Sequence, residues 1–378
     1  MDQHGKAELI RALRKEYARA SKREKSRIID QLVSATGFSR KHAIARFNDS
    51  AAPPKRIRRP RTGRYEAVTS ELQLIWATAN FICGKRLQPF MKELIEALKR
   101  HGEIVLSDEQ EALLISISAA TIDRLLAGAR KQMTLKGRAT TKPGALLKHQ
   151  IPIRTYADWD GDRPGFLEVD LVAHCGTSTA GEYANTLTMA DVRTGWTVCC
   201  AFMGRSERFC LAAIEKARRS LPFPLLGLDS DNDAVFINAH MLRYCQRNSI
   251  TFTRCRPYKK NDQCHVEQKN WDVVRKTVGY GRYDTAAQLA LLRQIWTLLA
   301  DYQNYFQPSR KLVSKTRHGA RVKRVYDSAR TPAQRLLERS DVPEKTKDRL
   351  RQTYERLNPA ALIRAISELV RRLQDTQS

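Results

Sequence analysis

The 378-residue sequence has no apolar run approaching the ~20 residues that a membrane-spanning helix needs, so no membrane partner is expected. Its opening, Met1-Asp2-Gln3-His4-Gly5-Lys6, lacks the apolar stretch of a secretory signal. The eight cysteines include no CxxC pair, and Cys199 and Cys200 are too close in a strand to bridge normally. Reduced thiols and a cytoplasmic location are therefore expected, rather than a disulfide scaffold. Cys264 and His265 stand side by side, but no matching pair lies near them to complete a zinc site. Acidic residues are missing altogether from Ala51 to Arg64, where six Lys or Arg and three Pro exclude a stable helix and mark a linker.

What is present in excess is positive charge. The net charge is +27, and it is unevenly spread: +15 over residues 1–150, +2 over 151–285 and +10 over 286–378. A nearly neutral centre between basic flanks is the electrostatic footprint of a nucleic-acid binder. A merely solubilising surface is the simpler alternative. At this length, two or three domains are expected.

Along the chain, residues 7–20 and a second segment with Ile28, Ile29, Leu32 and Val33 read as amphipathic helices. Thr36-Gly37-Phe38 makes a turn, and Ser39 caps a third helix from Arg40 to Phe47. Helix, Gly-containing turn and basic helix form a helix-turn-helix pattern over residues 1–50. On that reading Ile44 and Phe47 pack inward while Arg40, Lys41 and Arg46 face double-stranded DNA. The linker at 51–65 offers Arg56, Arg58, Arg59 and Arg61 as an extended arm able to follow phosphates or enter a minor groove. A second helical DNA-binding domain is expected over 66–133, with Ser118 capping a possible recognition helix. Its Leu/Ile stripe also suits ordinary core. A second basic linker, 134–150, precedes the neutral centre.

In that centre, Gly165 to Val172 reads as a strand carrying Glu168 and Asp170 on one face. Tyr183–Met189 and Trp196–Phe202 add two strands to an antiparallel meander, and Arg208–Leu221 is helical. An apolar run then ends in the acidic turn Asp229-Ser230-Asp231-Asn232-Asp233, a short strand covers 249–253, and a helix opens at His265 with Glu267 on its first turn. Thirty-five residues lie between Asp231 and Glu267. The context is Ser-Asp-Asn before Phe236-Ile237-Asn238, and Asn-Asp-x-x-x-Val-Glu-x-x-Asn from Asn261 to Asn270.

This constellation resembles the catalytic core of the retroviral-integrase and insertion-sequence (DDE) transposase superfamily over roughly residues 150–310. The resemblance implies an α/β, ribonuclease H-like mixed-sheet core (151–310). The all-α helix-turn-helix domains precede it, and a small basic β element and C-terminal helices (311–378) follow. It implies catalytic and metal-binding roles for Asp170, Asp231 and Glu267. Two Mg²⁺ ions, with Mn²⁺ as substitute, are the expected cofactor, because paired hard cations held by carboxylates activate one oxygen and stabilise another during phosphodiester transfer. Asn270 resembles the family's DNA-end contact, and Lys259, Lys260 and Lys269 surround the site as point charges for phosphate. The implied protein is a cytoplasmic, nucleoid-associated bacterial transposase that forms homo-oligomers on DNA. It would cleave element ends and join them to target DNA.

Several alternatives compete with these assignments. Glu168 rivals Asp170 and Asp229 rivals Asp231. Asp158, Asp160 and Asp162 read as solvated loop acids, and Trp271 as core. Alternating Asp229, Asp231 and Asp233 imitate a calcium loop, but the required Gly and Glu fall on Ala234 and His240. The family's usual Asp-Asn-Gly-x-Glu-Phe is here Asp231-Asn232-Asp233-Ala234-Val235-Phe236, so the turn has lost a glycine and an acid. A catalytically inactive DNA-binding regulator, or a ribonuclease H-like nuclease, are the competing functions.

Overall fold

The computed structural model describes residues 2–48, 63–131, 162–255, 263–319 and 321–377. Arg56, Arg58, Arg59 and Arg61, the linker 134–150, Asp158, Asp160, Lys259 and Lys260 lie outside the described residues. The chain divides into two compact units, 1–64 and 65–378.

The first unit holds three helices, α1 (Gln3–Arg19), α2 (Lys22–Thr36) and α3 (Arg40–Asn48). Ser21 and Glu24 form a reciprocal capping box at the start of α2, and Gly37 ends it in the left-handed region at φ 70°. Ile10, Ile28, Ile29, Leu32, Ala43 and Phe47 make the core, with Tyr17 stacked on Phe47 at 4.3 Å. Phe47 is buried as expected; Ala43 takes the fully buried place beside it and Ile44 is half-buried.

The second unit begins with α4 (Thr69–Thr78), α5 (Gly84–Leu87), α6 (Met91–Arg100), α7 (Asp108–Ser116), α8 (Ala119–Leu125) and α9 (Ala127–Lys131). These helices are not a separate domain, contrary to the sequence expectation. Leu72, Ile75, Leu94, Ile95 and Ile122 belong to the same apolar core as the sheet and the C-terminal helices. Polar contacts cross the expected boundary as well. Tyr302 Oη donates to the Thr78 carbonyl at 2.6 Å, Gln307 Nε2 to the Ala79 carbonyl at 2.9 Å, and Arg86 Nε to the Pro308 carbonyl at 2.6 Å. Ser118 does cap α8, but the helix is held inside the unit: Asp123 accepts from the Gly84 amide at 2.8 Å. The Leu/Ile stripe is covered by the sheet and the C-terminal helices rather than by a core of its own.

The sheet is mixed α/β in architecture, with strand order β3-β2-β1-β4-β5. Strands β1 (Phe166–Ala173), β2 (Ala184–Asp191) and β3 (Thr197–Met203) form the antiparallel meander, followed by α10 (Glu207–Ser220). Strand β4 (Gly227–Ser230) runs parallel to β1, α11 (Ala239–Arg247) follows, and β5 (Thr251–Arg254) runs parallel to β4. Helix α12 (Cys264–Lys269) comes next, widening into a π-type turn over Asn270–Arg275, then α13 (Lys276–Val278) and α14 (Ala286–Phe306). The succession of strands and helices is the one read from the sequence.

After α14, β6 (Leu312–His318) and β7 (Arg321–Tyr326) pair as a separate two-stranded ribbon. Helices α15 (Pro332–Leu337), α16 (Glu344–Arg356) and α17 (Pro359–Asp375) close the chain. The terminal apolar stripe docks on the body: Leu362, Ile366, Leu369 and Leu373 are buried, with α17 packed against α14. Pro359 opens α17, and Asn358 caps it by accepting from the Ala360 and Ala361 amides.

Candidate active site

Parallel pairing of β1 with β4 sets Glu168 opposite Asp229 and Val169 opposite Ser230. Asp170, within β1, and Asp231, just past the end of β4, are therefore the first residues beyond the last paired positions, where β4 reaches the carboxyl edge at which open α/β sheets gather their sites. The rival acids lie one step deeper. Glu168 and Asp229 are fully buried, whereas Asp170 and Asp231 are partly exposed at the rim. Thr253 Oγ1 donates to Asp229 at 2.6 Å, and Gln263 Nε2 donates to the Asp229 carbonyl at 3.2 Å. Glu168 Oε2 accepts from the backbone amides of His265 and Val266, at 2.8 and 3.0 Å. Glu168 thus ties the start of α12, one or two residues before Glu267, to the central strand.

One turn after Glu267, Asn270 Nδ2 donates to Asp170 Oδ2 at 2.6 Å. The wider π-type turn changes the angular step between successive side chains, so Asn270 points to the sheet edge while Trp271 turns outward and is 37% exposed. Trp271 is therefore not core, contrary to expectation. Glu267 itself is exposed.

The acids interact electrostatically. Burial, then the negative charge of Asp231, pushes the Asp170 carboxyl up to about 8. The Leu171 amide at 2.7 Å and Asn270 oppose this rise, and Glu267 adds to it. Burial likewise pushes Asp231 up to about 6, against the Asp233 amide and the positive charge of Arg205. Among the described residues, no three His, Cys, Asp or Glu form a group able to hold a metal ion.

The altered turn is well supported. Asp231 Oδ1 accepts from the Asp233 amide at 2.9 Å, and Asp233 Oδ1 accepts from the Val235 amide at 3.1 Å. Arg205 pairs with the second oxygen of Asp233. Outside glycine, only Asn80, Phe81 and Ser249 have positive φ among the described residues, so position 233 needs no glycine. Val235, in place of the family's acid, is buried in the core.

The basic candidates fare differently. Lys41 and Arg46 lie on the exposed side of α3. Arg40 is engaged within its own unit, pairing with Asp30 and donating to Ser26 Oγ at 2.6 Å. Lys269 is half-buried, and burial, then the nearby Arg86 guanidinium, pushes its ammonium down to about 8. Arg205 and the capping role of Glu168 escaped sequence reasoning. The only trace of the latter was its place two residues before Asp170.

Similarity to retroviral cores is low in extent. The HTLV-2 integrase catalytic core domain in complex with magnesium (dimeric form) gives a TM-score of 0.31 and 14% identity, covering 39% of this chain and 92% of that one. The BIV integrase catalytic core gives 0.30 and 16%, covering 45% and 91%. No protein-family model matches the chain. In sequence, the uncharacterized protein y4rM of Sinorhizobium fredii is 40% identical over 321 residues, 85% of this chain and 92% of that protein, and the chain therefore belongs to the same family as y4rM.

Proposed function

We propose that the chain is a polynucleotidyl transferase of the insertion-sequence transposase type, acting on double-stranded DNA with Asp170, Asp231 and Glu267 as its catalytic acids. The observation that supports this most is the crowding at the carboxyl edge of the sheet. Asp170 and Asp231 each stand one residue beyond the last β1–β4 pair, and burial, then the charge of Asp231 and more weakly that of Glu267, pushes Asp170 up to about 8. A buried carboxyl whose ionisation is further opposed by neighbouring acids is suited to a cation, and its hard oxygens fit Mg²⁺ or Mn²⁺. Asp170 would hold the cation from the central strand, with Asp231 and Glu267 on either side. A bound divalent ion supplies charge stabilisation at the phosphate and lowers the pKa of the attacking water or hydroxyl.

The chain's own residues do the rest. Glu168 fixes α12, and with it Glu267, against β1. Asn270 orients the Asp170 carboxyl. Arg205, through Asp233, braces the turn that carries Asp231. Water attack on a phosphodiester at the element end would release a 3′-hydroxyl and a 5′-phosphate. That hydroxyl then attacks a target phosphodiester, forming one new P–O bond as another breaks.

The test is cleavage and joining of a labelled element end in Mg²⁺, the end being taken from DNA flanking the gene. Wild type should cut and join. Glu267→Gln should lose on the order of a thousandfold in both, since removing a stabilising charge costs several kcal/mol and each ~1.4 kcal/mol is tenfold. Full activity in Glu267→Gln would show the acids to be misassigned.

A further inference from the structure

The ribbon β6–β7 takes no part in the candidate active site. It is not joined to the five-stranded sheet, and its register sets Lys315 opposite Arg324 and Thr316 opposite Lys323. Cross-strand partners share a face and residues two apart do too, so Lys315, Arg317 and Arg324 stand on one face and Lys323 on the other. All four are exposed, as are Ser314, Thr316, Val325 and Tyr326, while Val313 is 67% exposed. Neither face is covered by the other described residues of its unit.

Such a ribbon gains little from folding. A two-stranded hairpin is marginal in water, and like charges directly opposite, as at Lys315 and Arg324, oppose pairing. Its order comes from the base. Asp327 accepts from the Lys311 amide at 2.6 Å and from Arg335 Nη1 at 2.7 Å, and Ser309 and Arg330 exchange backbone hydrogen bonds at 2.8 and 3.1 Å. From Arg310 to Tyr326 the sequence holds seven Lys or Arg and no Asp or Glu. The fold thus grips one end of a basic ribbon and leaves its length open.

We infer that β6–β7 is a DNA-binding ribbon that lies in the major groove of a duplex. The choice of DNA as the polyanion rests on the proposed function; the geometry of the contact rests on the ribbon itself. A major groove about 12 Å wide admits a two-stranded ribbon without deformation, whereas a minor groove of about 6 Å must be widened at a cost in duplex bending to take one. Basic residues on both faces serve a partner that surrounds the ribbon with phosphates. Val313 and Val325 add apolar surface of the kind that meets thymine methyl groups. Pairing of the ribbon edge with a second copy would set Lys and Arg against Lys and Arg, which charged edges prevent.

The experiment uses the full chain and a 30-base-pair duplex of mixed sequence, with affinity measured over a range of salt. Replacing Lys315, Arg317, Lys323 and Arg324 together by Gln should weaken binding at least tenfold and reduce the log–log salt slope by about 2–3 units, at about 0.9 for each phosphate that is no longer neutralised. Replacing four exposed cations elsewhere in the same unit (Lys92, Lys345, Arg349 and Arg372, each to Gln) should leave the slope nearly unchanged. Premethylation of guanine N7, which projects into the major groove, should hinder wild type at positions where the ribbon variant is indifferent. Lys315→Arg with Lys323→Arg should keep the wild-type slope, which guards against a folding defect in the Gln variant. Equal slopes for ribbon and control variants, or a change confined to self-association, would overturn the inference. A wild type that binds no duplex at all would instead sink the proposed function.

Discussion

Asn270 Nδ2 lies 2.6 Å from Asp170 Oδ2, a hydrogen bond that spans 100 positions of sequence and crosses from the Glu267 helix to the central strand. It couples the orientation of two of the three proposed catalytic acids, because any roll of the helix that moves Glu267 also pulls on Asp170. Asn270→Ala removes this link and little else. A hydrogen bond to a charged group is worth about 1.5–3 kcal/mol, so cleavage should fall by roughly 10- to 150-fold. The loss should appear in kcat rather than KM, as steady-state rates over a range of DNA concentration would show. An unchanged kcat means that Asn270 does not position Asp170 during turnover.

Glu168 offers a sharper discrimination, because it can be a helix cap or a cation ligand. As a cap it needs only an acceptor oxygen for the His265 and Val266 amides, which Gln provides. Glu168→Gln should therefore keep most of the stability and activity. Glu168→Ala strands one buried and one part-buried donor, at about 1–3 kcal/mol for the buried one, and should unfold at clearly lower urea while losing activity. If Gln and Ala are equally inactive although Gln remains stable, the charge itself is needed and Glu168 belongs among the cation ligands.

His174 gives the fold a dependence on acid. It is fully buried, bonded to Thr186 Oγ1 at 2.8 Å, and Thr186 also accepts from Trp296 Nε1 at 3.0 Å. Burial, with help from the charge of Arg275, pushes its pKa down to about 3 from 6.5. Between those values the unfolded chain binds the proton and the folded chain does not, so stability drops as pH falls from 6.5 towards 3. The full loss is on the order of 5 kcal/mol at about 1.4 per pH unit. Urea unfolding at pH 7, 5 and 4 should show it, and the difference between wild type and His174→Gln should narrow with falling pH. A parallel decline in both would assign acid sensitivity to other groups.

Much of the sheet and its acids was legible in the chain, for reasons that differ by element. The β1 segment alternates and is bounded by Gly165. The acidic turn follows an apolar run, and the spacing to Glu267 is short enough for context on both sides to be read. Other features depend on contacts that no local pattern carries. Residues 66–133 have a stripe equally suited to a small domain or to burial against α14 and α17, and only Tyr302 and Gln307, more than 200 positions away, reveal which. The outward turn of Trp271 follows from a π-type step that helical spacing cannot anticipate. The half-burial of Lys269 beside Arg86 is likewise set by the fold and not by any local pattern.

The cost of gathering acids can be measured without any assay of DNA. Asp170 is raised to about 8 in the folded chain, against about 3.9 for an unfolded aspartate. A carboxyl with a raised folded pKa resists folding at every pH above its unfolded value, and the cost grows until the folded pKa is passed. Replacing it by Asn keeps the shape and the Asn270 contact but removes the charge that burial and Asp231 oppose. Asp170→Asn should then be more stable than wild type at pH 7, by about 2–4 kcal/mol, and the gain should vanish near pH 4. Magnesium should act unequally on the two proteins. An ion that binds only the folded state stabilises it by mass action, about 2.7 kcal/mol at a hundred times Kd. Wild type should therefore gain melting temperature in Mg²⁺ or Mn²⁺, with most of that gain absent from Asp170→Asn, so that saturating metal narrows the difference between them. Thermal unfolding at pH 7 with and without 10 mM-scale (roughly a hundred times a Kd of ~0.1 mM) metal reads both effects. Should metal stabilise the two proteins equally, Asp170 does not hold the ion, and a wild type more stable than Asp170→Asn without metal would mean that its charge is compensated within the chain.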